Sequence, residues 1–193
     1  MTSVPMASLF TPPAADHPLA KVPLTESLPK MHLFLYRNVK KGRRIRESII
    51  KGTMPLSCII DARMVLDIFQ LQLACIRALL AQRQDTMKTR SLYSEILFNM
   101  SPSSNITESL KQFGVSDSTS SLILLFIGDE APSDEDVDVA DSLIQGNQAS
   151  IFELAECCDT DLIKKLYKLS DAQQSRDISL KNVVNAMALK GFS

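Results

Sequence analysis

The chain has 193 residues, of which 45 % are apolar and 22 % are charged, and its net charge is −1. This composition excludes full disorder, because enough apolar side chains are present to bury a core, and the length fits one domain with or without a tail. The near-zero net charge excludes a uniformly polybasic nucleic-acid binder. No apolar run approaches the roughly 18 residues of a membrane span, and residues 1–30 lack the pattern of a signal peptide. We therefore expect a cytosolic or nuclear protein without membrane contact.

The charges are unevenly distributed along the chain. Residues 1–100 contain 14 Lys and Arg against 7 Asp and Glu, whereas residues 101–193 contain 7 against 15. Basic residues crowd positions 37–51, and acidic residues crowd positions 129–141. This asymmetry favours one face that attracts an anionic partner. The alternative is two solvated faces whose charges pair loosely and contribute little.

The first half of the chain predicts an arm followed by four elements. Frequent prolines indicate a loosely ordered or extended arm over residues 1–23, ahead of a domain over residues 24–193. The domain opens with a strand and an amphipathic helix, which places Ile45 and Ile49 on one face and stops at Gly52. A short strand or buried turn comes next, and Asp67 then caps a central helix that is apolar on most sides. In order, these elements occupy residues 31–36, 39–51, 58–60 and 68–83.

The second half predicts five helices and one strand. Asn105 caps the second of these helices, with Glu108 at the capping-box position. A continuous apolar run then predicts an inner strand, and the acidic stretch is a loop that leads into a helix starting near Ser133 or Asp136. In order, the elements occupy residues 91–100, 105–113, 121–127, 133–145, 161–169 and 179–190. This irregular order predicts an α+β fold, a single domain in which a small mixed or antiparallel sheet packs against several helices.

Motifs that carry catalysis are absent from the sequence. There is no Gly-rich phosphate-binding loop and no nucleophile elbow. The 2 His and 4 Cys offer few ligands for zinc, and buried reduced thiols explain the cysteines. His32 lies in a strand pattern, where a role on the sheet face or in the core fits better than that of a general base. We therefore predict no enzyme activity, no catalytic residues, no metal and no other cofactor.

Basic residues carry the remaining candidate chemistry. Arg83, Lys88 and Arg90 flank the turn after the central helix, and helix N-termini near Ser91 and Asn105 have free N–H groups that attract phosphate. The alternative is structural: Arg90 pairs with Glu95, and Asn105 only caps its helix.

Several motifs together carry a resemblance to a known family. They are Met87-Lys88-Thr89-Arg90-Ser91-Leu92, Ser94-Glu95-Ile96, Leu97-Phe98-Asn99-Met100-Ser101-Pro102, Asn105-Ile106, Leu110-Lys111-Gln112-Phe113-Gly114-Val115 and Lys164-Lys165-Leu166-Tyr167-Lys168-Leu169-Ser170. With this spacing the chain resembles the small kinase-binding subunit of the KEOPS (EKC) complex, a family also described as PRPK-binding proteins. The resemblance spans Leu24 to Phe192, and its composite spacing is too long to arise easily by chance. The opening strand and the basic helix also resemble the family, although residues 40–51 are richer in arginine than the family requires.

The resemblance implies an α+β fold and a protein without catalytic activity of its own. It implies a subunit that binds the N-terminal lobe of the small atypical kinase (ATPase) of the complex and promotes its activity. It further implies that the subunit helps to recruit tRNA through the single-stranded 3′ end, for threonylcarbamoyl-adenosine formation next to the anticodon. A link to telomere maintenance and a place in the nucleus and cytoplasm also follow from the resemblance.

The motif match suggests a site for the tRNA 3′ end. Lys88 and Arg90 supply positive charge, Tyr93 supplies a stacking surface, and Ile96 supplies an apolar platform if it faces outward. Asn105 exposes the second helix N-terminus.

The kinase contact is predicted in the C-terminal half, with Tyr167, Leu169 and Met187 as anchors. The alternative is that Leu169 and Met187 belong to the core. Two other functions remain open: an autonomous single-stranded RNA-binding protein that uses the basic N-terminal half, and an uncharacterised hydrolase built on Asp, Glu or Cys.

Overall fold

An antiparallel sheet of five strands organises the part of the chain that the structure, a computed structural model, describes: residues 2–4, 28–169 and 180–190. β2 and β4 pair along most of their length, and β3 pairs with the other edge of β4. β1 and β5 both pair with the remaining edge of β2. All these pairings are antiparallel, so the antiparallel option of the predicted sheet is confirmed. The strands are β1 (Thr2–Val4), β2 (Lys30–Arg37), β3 (Cys58–Asp61), β4 (Leu122–Gly128) and β5 (Asn147–Ala149).

Eight α-helices are present in the described residues, which confirms the predicted α+β class. Apart from the short β1, the predicted arm and its boundary at residue 23 lie outside the described residues. The helices are α1 (Gly42–Lys51), α2 (Ile68–Arg83), α3 (Leu92–Met100), α4 (Ile106–Phe113), α5 (Asp134–Ile144), α6 (Leu154–Cys157), α7 (Thr160–Tyr167) and α8 (Leu180–Ala188).

Strand β4 is apolar at every position from Leu122 to Ile127 because both faces of the sheet are covered. Ile123 and Leu125 point into a core that includes side chains of α2, α3, α7 and α8. Leu122 and Leu124 point the other way, into a second core formed with α1 and α5. The alternation follows from the period of two in a strand. The prediction of an inner strand is confirmed.

Helix caps explain where most helices begin and end. The Asp67 carboxylate accepts a hydrogen bond from the Phe69 amide at 2.7 Å, as predicted, and starts α2. Gly52 has a φ of 68°, a left-handed conformation that ends α1 at the predicted position. Ser133 caps α5 by accepting from the Asp136 amide at 3.1 Å.

One detail differs from the prediction. Asn105 caps α4, but the capping box is incomplete, because the Glu108 carboxylate accepts from the Ser103 hydroxyl at 2.9 Å instead of from the Asn105 amide, which donates to Ser103. On the predicted face of α1, Ile45 is completely buried and Ile49 is 46 % exposed. The helix predicted to start near Ser133 is confirmed as α5, and its first turn is acidic, since negative charge is favourable at a helix N-terminus.

Candidate functional site

A pocket of about 430 Å³ lies beside the central helix α2. Basic side chains reach it from three separate parts of the chain: Arg77 on α2, Lys88 in the turn before α3, and Lys190 just after α8. These cations, which are far apart in sequence, meet because α3 and α8 both pack against α2. The rest of the lining is Ala81, Thr86, Glu95, Phe98, Asn99, Ser104 and Ile106.

Glu95 organises the turn that carries Lys88. Its side chain is buried, and one carboxylate oxygen accepts from the Lys88 amide at 3.0 Å, the Thr89 amide at 2.8 Å and the Thr89 hydroxyl at 2.8 Å. Hydrogen bonds to an ionised carboxylate are stronger than neutral ones. Glu95 therefore anchors the backbone of this turn, a role that differs from the pairing with Arg90 considered from the sequence. The Lys88 and Arg90 side chains remain exposed.

Lys190 is held in an unusual environment for a lysine. Its ammonium donates to the Phe98 carbonyl and lies 3.1 Å from the centroid of the Phe98 ring. Burial, followed by the positive charge of Arg77, lowers the pKa of Lys190 to about 8, and the Glu95 carboxylate acts in the opposite direction. Arg77 donates to the Met187 carbonyl, and burial lowers the pKa of its guanidinium as well. An anion in the pocket would relieve the repulsion between these two cations.

Asn99 contributes a donor that has no acceptor. Only 6 % of the residue is exposed, and its Nδ2 has no hydrogen-bond partner. A buried donor without a partner carries a free-energy penalty of about 1–3 kcal/mol. Asn99 lines the pocket, but its Nδ2 is buried from solvent, so a ligand oxygen can accept from it only after the side chain turns toward the pocket. The cations and this amide together favour an anionic ligand rich in acceptors.

Among the residues predicted for RNA, Lys88 lines this pocket, and Arg90 lies exposed close to it in sequence. Asn105 is an exposed N-cap whose neighbours Ser104 and Ile106 both line the pocket. Lys88 and Asn105 are thus brought to one region of the surface.

Ile96 and Tyr93, the other two residues predicted for RNA, do not face this pocket. Ile96 is completely buried in the core, so the prediction of an outward-facing platform is wrong. Tyr93 is half-buried and lines a different cavity, so it does not face this pocket. The apolar surface of the pocket comes instead from Phe98 and Ile106.

Two of the residues predicted for the kinase contact also belong to the core. Tyr167 is 5 % exposed, and its hydroxyl donates to the Met100 carbonyl at 2.5 Å and accepts from the Gln70 amide at 3.0 Å. Met187 is completely buried. Direct contact with a partner through these two side chains is therefore excluded in this conformation. Leu169 is partly buried against the same core.

Within the described ranges, no helix is long and apolar enough to cross a membrane. The same residues contain no group of three or more His, Cys, Asp or Glu side chains arranged to hold a metal ion. Cys58 and Cys75 are buried free thiols, as predicted, whereas Cys157 and Cys158 are free but only half-buried. His32 is buried on β2, and its Nε2 lies 3.2 Å from the Gly128 carbonyl oxygen, as expected for a residue on the sheet.

Comparison with known proteins identifies the family. Residues 36–191 match the family described as "Kinase binding protein CGI-121". The chain belongs to the CGI-121 family. This match confirms the resemblance found in the sequence.

Relatives of the CGI-121 family from animals and fungi align over most of this chain. The "EKC/KEOPS complex subunit TPRKB" of Danio rerio is 34 % identical over 174 residues, which cover 86 % of this chain and 97 % of the relative. The "EKC/KEOPS complex subunit CGI121" of Eremothecium gossypii is 31 % identical over 184 residues, with 88 % and 99 % covered. The "EKC/KEOPS complex subunit cgi121" of Schizosaccharomyces pombe is 28 % identical over 167 residues, with 85 % and 95 % covered.

Proposed function

We propose that this chain is a non-catalytic subunit of a KEOPS (EKC) complex, that it binds and activates the small kinase (ATPase) of that complex, and that it helps to recruit tRNA for threonylcarbamoyl-adenosine formation. Membership of the CGI-121 family and the names of the relatives support the complex and the kinase. The basic pocket supports the RNA. The predicted nuclear and cytoplasmic location and the link to telomere maintenance stay predictions.

The convergence of Arg77, Lys88 and Lys190 on one pocket is the observation that carries the RNA part of the proposal. A single-stranded 3′ end presents phosphates and unstacked bases. The cations suit the phosphates, the Asn99 amide suits a base or sugar oxygen, and Ile106, at 36 % exposure, offers apolar contact to a base. The pocket is thus suited to one or two nucleotides at the end of a strand.

The RNA proposal is tested with a charge-reversed double variant, Lys88→Glu/Arg90→Glu, and with tRNA that has or lacks its 3′-terminal nucleotides. We expect the wild type to prefer intact tRNA, and the double variant to bind more weakly with a shallower dependence on salt. Lys164→Glu/Lys165→Glu on α7 is the matched control, because it changes the net charge by the same amount elsewhere. Equal tRNA affinity and equal salt slopes for the Lys88/Arg90 variant and the control would show that tRNA does not bind at this site.

The kinase contact requires an apolar anchor that is exposed in the free subunit, which Tyr167 and Met187 are not. Leu189 meets this requirement in the predicted C-terminal half. It follows α8, is 63 % exposed, and lies two residues after the buried Met187, on a different side of the chain. We therefore move the predicted centre of the contact from Tyr167 and Met187 to Leu189, and keep Leu169, which is only partly buried, as a second candidate.

Co-purification with the tagged kinase tests this contact. We expect stoichiometric recovery of the wild type and loss of recovery for Leu189→Glu. Val139→Glu is the matched control, because Val139 is an exposed apolar residue on the acidic helix α5. Full recovery of Leu189→Glu would move the interface to another surface. The absence of any kinase in the pull-down of the wild type would favour the alternative function, an autonomous single-stranded RNA-binding protein that uses the basic residues of α1.

A further inference from the structure

A second cavity, larger and mostly apolar, lies on a different part of the surface. It has a volume of about 750 Å³ and is bounded by the end of α1, the segment 52–59, α3 and α4. It shares no lining residue with the basic pocket. We call it the α1 groove. Its apolar lining is Ile49, Ile50, Met54, Pro55, Leu56, Cys58, Ile59, Tyr93, Leu97, Leu110 and Val115.

The rim of the α1 groove exposes bulky aliphatic side chains. Ile50 is 84 % exposed, Leu56 is 79 % exposed and Ile49 is 46 % exposed. Single exposed apolar residues are ordinary, but three around one cavity form a continuous patch, and such patches mark binding surfaces. The fold of the described residues does not use these side chains: α1 is held to the sheet by Ile45, which is completely buried.

Positive charge surrounds this patch. Residues 40–51 contain six basic residues against one acidic residue, Glu47. Two of the six are in surface ion pairs: Arg43 with Glu47 at 3.1 Å, and Arg46 with Asp117 at 2.8 Å. Arg46 itself lines the groove, and Lys51 lies between the lining residues Ile50 and Gly52. The remaining basic residues, Lys40, Lys41 and Arg44, are exposed.

We propose that the α1 groove docks an acidic amphipathic segment of a partner protein, with the apolar side chains of that segment in the groove and its carboxylates facing α1. Charge complementarity selects an acidic occupant, and the aliphatic walls select side chains such as leucine, as in other grooves that receive amphipathic helices. RNA fits less well. Bases stack on aromatic or guanidinium planes, whereas Tyr93, the one aromatic residue in the lining, is half-buried and the Arg46 guanidinium is paired with Asp117 at 2.8 Å. The groove is independent of the Leu189 contact proposed for the kinase.

A defined probe tests this proposal on the full chain. The probe is a fluorescent synthetic helical peptide with leucine at positions i, i+3, i+4 and i+7 of each repeat and glutamate elsewhere. Leu56→Glu removes apolar surface and adds repulsion at the groove, while its high exposure leaves the fold unaffected. Phe152→Glu is the matched control, because Phe152 is 87 % exposed at a position that does not line the groove.

We expect saturable binding that weakens about ten-fold in Leu56→Glu, remains unchanged in Phe152→Glu, and weakens as salt is raised. A second variant, Lys51→Glu, should also weaken binding and reduce its dependence on salt. A probe with lysine in place of glutamate should bind less tightly. Equal binding of the two probes, or equal affinity of the Leu56 and Phe152 variants, would overturn the proposal. Tighter binding of single-stranded oligo(U) than of the acidic peptide, with loss of that binding in Leu56→Glu, would instead make the groove an RNA site.

Discussion

Replacing Tyr167 distinguishes a core residue from an interface residue. Tyr167→Phe keeps the buried ring but removes the hydroxyl, which leaves the Met100 carbonyl and the Gln70 amide with one partner fewer. A buried polar group without its partner costs about 1–3 kcal/mol, and Gln70 keeps a weaker bond of 3.4 Å to the Met64 carbonyl. We therefore expect the free energy of unfolding to fall by about 1–2 kcal/mol. Tyr167→Ala also empties the volume of the ring and should cost about 3–5 kcal/mol.

Urea unfolding of the purified chain, followed by circular dichroism, measures both changes for Tyr167. Leu189→Ala is the control, since its side chain is mostly exposed and should change stability by less than about 0.5 kcal/mol. The Tyr167→Phe protein, once folded, should still recover the kinase. Stability within about 0.5 kcal/mol of the wild type for Tyr167→Ala, together with loss of kinase binding, would refute the placement of this residue in the core.

Three further predictions concern packing, pH dependence and the basic pocket. In Gly42→Ala, the new Cβ would lie 2.1 Å from the Ser116 carbonyl oxygen, so α1 must shift. Thermal unfolding should therefore show that the free energy of unfolding falls by about 2 kcal/mol or more, although alanine has the better helix propensity. Folding lowers the pKa of Lys190 from its ordinary value near 10.5 to about 8, so the contribution of this side chain to the free energy of unfolding rises between about pH 8 and about pH 10.5. Burial raises the pKa of Cys58, Cys75 and Tyr167, so the contribution of those groups falls at alkaline pH. The difference in free energy of unfolding between the wild type and Lys190→Met should therefore rise across this window in urea titrations, and a constant difference would contradict this origin. Glu95→Ala should lower the free energy of unfolding by about 3 kcal/mol and speed hydrogen exchange of the Lys88 amide. Glu95→Gln keeps an acceptor and should lower the free energy of unfolding by about half as much. Equal exchange of the Lys88 amide in the wild type and the two variants would show that Glu95 does not anchor the turn.

Local signals in the sequence were sufficient for most elements of the fold. The apolar run before Gly128 predicted an inner strand, and Asp67, Asn105 and Gly52 marked helix ends, because caps and strand periodicity act over a few neighbouring residues. The strand β5 (Asn147–Ala149) was not predicted. It is short and polar, and only its pairing with β2 makes it a strand.

The helical spacing of apolar residues predicts which side chains are buried in some helices of this protein but not in others. Ile96 lies four residues before Met100 in α3, and both are completely buried, so their helical spacing indicates the core and not the platform that the motif match suggested. At α7, Leu162, Leu166 and Leu169 share a helical spacing, but the buried side chains lie one residue later: Ile163 and Tyr167 are buried, whereas Leu162 is 37 % exposed. An aromatic side chain with a polar tip, such as Tyr167, fits the core only if it finds partners there.

The sequence by itself determined the class of the fold, the family and the region of positive charge near Lys88. The tertiary structure decided which cations meet, since Arg77 and Lys190 reach the same pocket only because α8 packs against α2. It also decided that the Asn99 amide lacks a partner and that Leu56 stays exposed. The physical reason is that helix and strand signals act between near neighbours, whereas a pocket depends on side chains that are distant in sequence and are brought together only when the helices pack on the sheet.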